Sequence, residues 1–239
     1  MKQYVTGTIF KKLWFWFETP HDVPGADMVN FFTYSDGNYE GFTRTQTLTS
    51  VIALSATLDE IWSKTRKKFI QRQIEQGRSR GVTVAQSSDF TSFYPLFKDF
   101  RSSKKLPRIS YKVLSQNGTL FLARFAGEVI AGGIFITDGT HVRAWVLASR
   151  RLDGMDGRMR DIIGDANRMV IWEAISWAKQ NGYAVFDMGG IDPDSKDSGQ
   201  RSLAEFKEAF GGERKSAFYY HKVYSAPLKV WMRLRKLIA

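Results

Sequence analysis

A short apolar run that leads into an aspartate and two glycines marks the centre of this sequence. The run Tyr183–Phe186 predicts a buried strand, with Asp187 and the pair Gly189–Gly190 at its carboxyl end. Glycine has no Cβ atom, so the backbone there can adopt a positive φ or come close to a ligand. The pattern predicts either one wall of a cleft or an ordinary tight turn.

A short helix with a lysine follows this strand. The segment Arg201–Phe210 predicts a helix with one apolar face, and Gly211–Gly212 ends it. Another face carries Lys207. The predicted apolar face consists of Leu203, Phe206 and Phe210. A strand end, a glycine pair and a lysine-bearing helix together favour a binding cleft.

The composition excludes several kinds of site. The chain has 239 residues, 43% hydrophobic and 25% charged, which is typical of a globular protein with a sizeable core. It contains no cysteine, which excludes disulfides, thiolate metal ligands and a cysteine nucleophile. The histidines His21, His141 and His221 are too scattered to indicate a metal cluster. We therefore expect no metal site.

The net charge is strongly positive. It is +11 at pH 7, with a pI near 9.8, which favours acidic partners such as phosphate groups, tRNA or an anionic membrane surface. No run approaches the ~18 apolar residues that a membrane span needs. The N-terminus also lacks the apolar core and cleavage site of a signal peptide. A cytoplasmic location is expected.

A basic segment follows a well-marked helix start. Residues 1–50 are aromatic and irregular and predict a strand or two. Thr57 and Glu60 form a capping-box pair, and apolar residues at helical spacing continue the helix to Gly77 or Gly81. The outer face predicts either a polyanion-binding surface or a merely solvated one. Its basic residues are Lys64, Arg66, Lys67, Lys68, Arg72, Arg78 and Arg80.

Two more helices and a meander occupy the middle of the chain. Asp89 predicts the N-cap of an aromatic core helix that Pro95 should kink or shorten, and Ser110 predicts a further short helix. Three alternating runs over residues 119–148 predict an antiparallel meander. Inside its second strand, Gly132–Gly133 predicts a bulge or the close approach of another backbone.

A loop with three glycines and four arginines over residues 149–165 precedes a strong helix, predicted from about Asp165 through Trp177. Free amide groups and the helix dipole make the N-terminus of a helix a natural place to hold phosphates. The composition of this loop therefore favours a phosphate contact, although generic loops of this kind are common.

The chain closes on a strand and a helix. Residues 216–224 predict a strand, and Pro227 opens a segment whose apolar and basic residues segregate at helical spacing. Such a helix either lies on an anionic membrane or packs onto the domain. We expect an N-terminal extension over residues 1–45, one domain over 46–225 and a basic amphipathic helix over 226–239.

Five segments, in this order, resemble the Fem-type (FemABX) peptidoglycan aminoacyltransferases and the related acetyltransferase-like branch with the GNAT fold. No single segment is decisive, and the resemblance depends on their order. The segments are I-W-S-K-T-R-K-K-F-I-Q-R (61–72), L-F-L-A-R-F-A-G-E-V-I-A-G-G-I-F (120–135), W-E-A-I-S-W-A-K-Q-N-G-Y (172–183), F-D-M-G-G-I-D-P (186–193) and E-F-K-E-A-F-G-G-E (205–213).

The resemblance implies an α/β (α+β) fold, GNAT-like, with a mixed, mostly antiparallel sheet flanked by helices. It implies transfer of an aminoacyl or related acyl group to an amine of a cell-envelope glycan or peptidoglycan precursor. Aminoacyl-tRNA is the expected donor and acyl-CoA the alternative, in either case as a co-substrate, so no cofactor is expected. Contact with an anionic membrane at its inner face is a further option. The rival interpretation is a non-catalytic RNA- or membrane-binding module.

The resemblance also implies roles for single residues. The family's F-K pair lies at the acyl-donor end and matches Phe206 and Lys207, so Phe206 is expected to stack on the donor's terminal base. Lys207 is expected to stabilise the oxyanion of the tetrahedral intermediate. Asp187 is the second expected catalytic residue, and with Gly189 and Gly190 it is expected to shape the acceptor cleft. Asp192 and Arg124 are expected to bind substrate, and the donor phosphates to contact Arg150, Arg151, Arg158, Lys64, Lys67 and Lys68.

Two features depart from these families. Fem-type enzymes begin with a full additional GNAT-like unit, which the first 45 residues here do not match, so the acceptor contacts made by that unit are not carried over to this chain. CoA-using GNAT enzymes carry a pyrophosphate loop R/Q-x-x-G-x-G/A. Here Arg151-x-x-Gly154-x-Asp156 places a carboxylate at the last position, which argues against ordinary CoA binding.

Overall fold

The computed structural model describes residues 2–6, 9–150 and 156–238. The strands are β1 (Lys2–Thr6), β2 (Lys12–Trp16), β3 (Met28–Thr33), β4 (Thr43–Ala53), β5 (Thr83–Ser87), β6 (Thr119–Phe125), β7 (Glu128–Thr137), β8 (His141–Ser149), β9 (Val185–Ile191) and β10 (Glu213–Val223). The helices are α1 (Leu58–Lys64), α2 (Arg72–Ser79), α3 (Phe90–Ser103), α4 (Tyr111–Asn117), α5 (Gly157–Gln180), α6 (Ser198–Glu208) and α7 (Ala226–Ile238), with a π-helical segment at Lys67–Gln71. The chain divides into two compact units, one of residues 49–214 and one of residues 1–48 with 215–239.

In the unit of residues 49–214 the strands lie in the order β4-β9-β8-β7-β6-β5. Strands β5 to β8 pair antiparallel, and β8 pairs parallel with β9. Successive side chains of β6 point to opposite faces, so Phe121 and Ala123 pack in the cluster of α5, whereas Leu120 and Leu122 pack in the cluster of α3. Helices thus cover both faces, and the predicted fold class, a mixed, mostly antiparallel sheet flanked by helices, is confirmed.

The predicted basic helix is broken into pieces. The capping box at Thr57 and Glu60 starts α1 as predicted, but Thr65 is extended, and the chain resumes as the π-helical segment and α2. The Arg66 N–H group donates to the carbonyl of Ala209 at 2.9 Å. This tertiary bond next to the end of α6 replaces the bond that a continuous helix would make, so tertiary context overrides helix propensity.

The caps in the middle of the chain follow the predictions. Asp89 accepts a bond from the Ser92 N–H group at the start of α3, and Ser110 caps α4 in the same way. Helix α3 continues through Pro95 to Ser103, so the proline does not shorten it. Strands β6, β7 and β8 form the predicted meander.

The glycine pair in β7 lies against side chains. Of the two predicted alternatives, a bulge or the close approach of another backbone, the second was therefore wrong. A Cβ atom at Gly132 would lie 2.8 Å from the ring of Phe93 in α3. The predicted bulge lies just beyond the pair, between Ile134 and Phe135. Gly132 therefore lets α3 pack closely on the sheet.

Several boundaries differ from those predicted. Helix α5 begins at Gly157, well before Asp165, because the Asp156 carboxylate accepts the Met159 N–H and caps the helix. Of the predicted arginine-rich loop, residues 151–155 lie outside the described residues. Strand β9 continues through Asp187 and both glycines to Ile191, so these residues belong to a strand and do not follow one.

Helix α6 begins at Ser198 and ends at Glu208, both earlier than predicted. Phe210 is fully buried just beyond the helix, whereas Leu203 is 41% exposed, so the predicted apolar face with Leu203 in it was wrong. Gly211 has φ +82°, as expected for the predicted C-terminal stop.

The unit of residues 1–48 and 215–239 contains strands in the order β1-β2-β3-β10. β2 and β3 are parallel, and the other two pairings are antiparallel. The sequence predicts a strand or two within residues 1–50, whereas four begin there. The aromatic residues form a core in which Phe15 and Phe31 stack with ring centroids 4.6 Å apart. The domain boundaries predicted near residues 45 and 225 remain predictions.

Helix α7 belongs to the same unit. The Ser225 hydroxyl accepts a bond from the Leu228 N–H group, and Pro227 lies in the first turn, where a missing N–H group costs no helical bond. Among the described helices, none is both long enough and apolar enough to cross a bilayer.

Candidate functional site

Strands β8 and β9 pair over only part of their lengths. Their parallel register joins His141 to Val185, Val142 to Phe186 and Arg143 to Asp187, although β8 has nine residues and β9 has seven. The register ends at Arg143 and Asp187, so the part of β9 with the two glycines lies beyond the paired region. The backbone N–H and C=O groups of that part can therefore form hydrogen bonds with groups outside β8.

A buried ion pair lies where this register ends. The Arg143 guanidinium donates to Asp187, and the Thr49 hydroxyl donates to the other carboxylate oxygen. The Gly189 N–H group donates to the same carboxylate at 2.7 Å. Asp187 has no exposed surface and Arg143 is 4% exposed. Buried charges are stable only when paired and hydrogen-bonded, so this network fixes β4, β8 and β9 to one another.

The lysine predicted from the sequence lies against the glycine pair. The Lys207 ammonium, on α6, donates to the carbonyl of Gly190 at 2.7 Å. Gly189 has φ +87°, and a Cβ atom there would lie 3.3 Å from Lys207 Nζ and 3.4 Å from the Ala144 carbonyl oxygen. The positive φ strains any other residue at this position, and a Cβ atom there would crowd the ammonium.

The surroundings of Lys207 lower the pKa of its ammonium group. Burial lowers the Lys207 pKa from its usual 10.5 to about 8; the Arg143 charge acts in the same direction, and the Asp187 charge opposes both. With a pKa near 8, roughly nine in ten Lys207 side chains are protonated at pH 7. Among the described residues the ammonium donates one hydrogen bond, to Gly190, and it has three protons. The remaining donors suit an anionic oxygen.

Phe206, next to Lys207 in the sequence, contacts the buried guanidinium of Arg168. The Arg168 guanidinium of α5 lies 5.3 Å from the Phe206 ring centroid and 4.8 Å from that of Phe69. Arg168 also donates to the carbonyls of Phe69 and Gly164, each at 2.8 Å. Because Arg168 is 7% exposed, it joins α5, the π-helical segment and α6 as a structural centre beside Lys207.

Part of the predicted phosphate-contacting set lies near α6. A Cβ atom at Gly211 would be 2.9 Å from Lys64 Cβ, so the end of α1 adjoins the end of α6. Lys67 and Lys68 are exposed on the adjoining π-helical segment. These three lysines therefore share one region of the fold with the end of the helix that carries Lys207.

The other predicted site residues are placed elsewhere. Arg124 lies on β6, two strands beyond β8 from Asp187, and forms an ion pair with Asp89 at 2.9 Å. Arg150 pairs with Glu128, also at 2.9 Å. Arg158 is exposed in the first turn of α5, and Asp192 is exposed at the end of β9. Arg151 lies outside the described residues. Of the described members of this group, only Asp192 adjoins the glycine pair.

Three cavities in the described part of the chain are lined by other residues. The unit of residues 1–48 and 215–239 contains one of about 520 Å³ beside Arg44 and Tyr220. The second unit contains one of about 190 Å³ beside Arg150 and one of about 170 Å³ beside Arg80 and Arg168. None of the three is lined by Gly189 or Gly190. Among the described residues, no group of three or more histidines and carboxylates is placed to hold a metal ion.

Three buried residues of this region, Arg143, Thr49 and Arg168, were not predicted from the sequence. Arg143 interrupts the apolar strand H-V-R-A-W-V-L-A, and a charge in such a run is a signal for a buried partner. Asp187, in the neighbouring apolar run, carries the complementary charge. Thr49 and Arg168 gave no comparable signal, because neither interrupts a pattern.

The fold matches several solved structures. The structure of FemX is 14% identical and gives a TM-score of 0.60, with 85% of this chain and 73% of that chain covered. The C-terminal domain of a putative lysylphosphatidylglycerol synthetase from Agrobacterium fabrum is 11% identical and gives 0.58, with 97% and 84% covered. L-PGS from Bacillus licheniformis is 13% identical and gives 0.55, with 87% and 72% covered. No protein-family model and no curated protein matches the sequence. The chain therefore has a FemX-like fold, in agreement with the fold that the resemblance implied.

Proposed function

We propose that this protein is an acyltransferase that transfers an aminoacyl or related acyl group to an amine of a cell-envelope precursor. The observation that carries the proposal is the Lys207 ammonium, held against Gly189–Gly190 with donors left for a ligand. The FemX-like fold and that of the lysylphosphatidylglycerol synthetase domain support it.

In the proposed reaction the acceptor amine attacks the donor's ester carbonyl. The carbonyl oxygen becomes an anion, which the Lys207 ammonium stabilises; a well-placed donor in such a position contributes about 2.7–4 kcal/mol to transition-state stabilisation. The C–O ester bond then breaks, the new C–N amide bond remains, and the amine's proton neutralises the leaving alkoxide. No covalent intermediate with the protein is required.

In this proposal Asp187 acts as a positioning residue, not as the catalytic one that the sequence predicted. Its carboxylate has no exposed surface and is bonded to Arg143, Thr49 and the Gly189 N–H group. It supports the backbone turn at Gly189, against which Lys207 lies. Its charge also raises the pKa of Lys207 against the effect of burial.

Aminoacyl-tRNA is the proposed donor. At the start of α5 the Asp156 carboxylate already accepts the Met159 N–H group, so a negative side chain occupies the position where a pyrophosphate would bind. This observation disfavours acyl-CoA. The exposed Lys64, Lys67 and Lys68 near the end of α6 suit the extended polyanionic backbone of a tRNA.

The test is a transfer assay with the purified protein. Radiolabelled aminoacyl-tRNA and, separately, acetyl-CoA are incubated with nucleotide-linked and lipid-linked muropeptides and with aminoglycans. We expect product from aminoacyl-tRNA, with a 10²–10³-fold loss for Lys207→Met and no loss for Lys98→Met, an exposed lysine of α3. Product from acetyl-CoA alone would favour the second donor. Salt-dependent RNA binding without product from either donor would favour the non-catalytic module.

A further inference from the structure

Helix α7 presents apolar side chains to solvent. In α7, Val230 is 56% exposed, Trp231 40% and Leu234 54%, and Ile9, in the same unit, is 86% exposed. Val230 and Leu234 are four residues apart and so share one face of the helix. We call these four residues the apolar patch. The other large apolar residues that are exposed in the described chain, Phe69, Leu106, Tyr111 and Leu203, lie on four different elements or loops of the other unit.

Contacts within the unit bring the parts of this patch together. The Phe10 ring lies 6.3 Å from the Trp231 ring, centroid to centroid, which brings the segment with Ile9 to α7. The Lys12 ammonium lies 5.3 Å from the Trp231 ring centroid. Leu228 in the first turn of α7 is fully buried. Leu228 and Trp231 thus hold the helix on its unit, while Val230 and Leu234 remain exposed.

The charged residues of the two segments that carry the patch are all basic. Residues 226–239 contain Lys229, Arg233, Arg235 and Lys236 and no acidic residue. On the neighbouring segment Lys11 and Lys12 follow Phe10. A helix with exposed apolar residues, a tryptophan and only basic charges has the composition of segments that lie in the interface of an anionic bilayer.

We propose that the apolar patch docks on an anionic lipid bilayer. The apolar side chains enter the boundary between headgroups and acyl chains, and the basic residues lie against the lipid phosphates. A nucleic acid would complement the charge but would leave Ile9, Val230 and Leu234 in water. The bilayer is the occupant that satisfies both features. This inference does not depend on the proposed acyl transfer.

The test is co-sedimentation of the full chain with vesicles. Vesicles of mixed phosphatidylglycerol and phosphatidylcholine should bind the protein, and vesicles of phosphatidylcholine alone should bind it much less. Leu234→Ser should lower the partition coefficient roughly tenfold, because one leucine leaves the apolar phase, and Val230→Ser/Leu234→Ser should lower it further. Leu106→Ser, with 44% exposure on the other unit, is the matched control and should bind like the wild type.

Two further outcomes decide against the proposal. Equal binding by Leu234→Ser and the wild type would show that the apolar patch does not enter the bilayer. Equal binding to neutral and anionic vesicles would remove the role of the basic residues. Circular dichroism checks that each variant is folded, and Lys207→Met should bind vesicles like the wild type even if it transfers no acyl group.

Discussion

Lys207 and Gly190 are joined by a hydrogen bond of 2.7 Å, from the side-chain ammonium of α6 to a backbone carbonyl of β9. Gly189, beside this bond, has a positive φ and no Cβ atom that would crowd the ammonium. A lysine in this position is held by backbone geometry, while its remaining protons stay available to a ligand. Burial of the Lys207 ammonium lowers its pKa to about 8.

Gly189→Ala tests this relationship directly. Alanine at φ +87° is strained, and its Cβ would lie 3.3 Å from Lys207 Nζ and 3.4 Å from the Ala144 oxygen. We expect a loss of roughly 1–3 kcal/mol in the free energy of unfolding, together with a loss of transfer activity. Urea denaturation measures the first effect. Gly139→Ala, where nothing lies within 4 Å, should stay within about 0.5 kcal/mol of the wild type; equal losses in both variants would contradict the prediction.

The pH dependence of stability follows from the pKa of Lys207. The pKa is about 8 in the folded protein and 10.5 as the ordinary value, so between these pH values the unfolded chain binds more protons than the folded one. The free energy of unfolding therefore gains up to about 3 kcal/mol from this group as pH rises from 8 to 10.5, and below pH 8 the cost of the buried charge is fully present.

Lys207→Met removes this contribution. The difference in unfolding free energy between Lys207→Met and the wild type should shrink as pH rises through the same range, measured by urea denaturation at a series of pH values. Lys98→Met provides the control and should keep the wild-type slope. A constant difference between Lys207→Met and the wild type from pH 7.5 to 10.5 would mean that the ammonium is not buried.

Local signals in the sequence predicted much of this fold, and long-range pairing accounts for what they missed. The caps at Thr57, Asp89 and Ser110 depend on neighbours three residues away, so a pattern in the sequence specifies them. The network joins Asp187 to Arg143, which is 44 positions earlier in the sequence, and to Thr49, which is 138 positions earlier. No periodicity encodes such a separation, which is why Asp187 was expected at a cleft and not in a buried ion pair.

Asp187→Asn should destabilise the protein strongly. It leaves the Arg143 guanidinium, 4% exposed, without its charged partner, and breaking a buried pair in this way costs about 3–5 kcal/mol. The control is Asp192→Asn, a conservative change at an exposed carboxylate two residues beyond Gly190. Chemical denaturation of both variants gives the comparison.

A double-mutant cycle separates the pair from its parts. Arg143→Met combined with Asp187→Asn removes both charges and should cost less than the two single changes added together. If the losses are simply additive, the two side chains are not coupled, and the network does not hold β8 to β9.

Arg168→Lys tests whether the buried guanidinium of Arg168 holds α6 in place. The guanidinium donates to Phe69 and Gly164 and lies over the rings of Phe69 and Phe206. A lysine has a compact ammonium and cannot reproduce this planar set of contacts. We expect a loss of about 1–3 kcal/mol in the free energy of unfolding, because at least one hydrogen bond to a buried group is lost. Arg72→Lys, at an exposed position of α2, should be neutral.

The specific readout for Arg168→Lys is the pKa of Lys207, measured by NMR of the labelled side chain. If Arg168 positions α6, this pKa rises toward 10.5 as the ammonium loses its burial. An unchanged Lys207 pKa in a folded Arg168→Lys protein would show that the packing of Arg168 on Phe206 does not control the site.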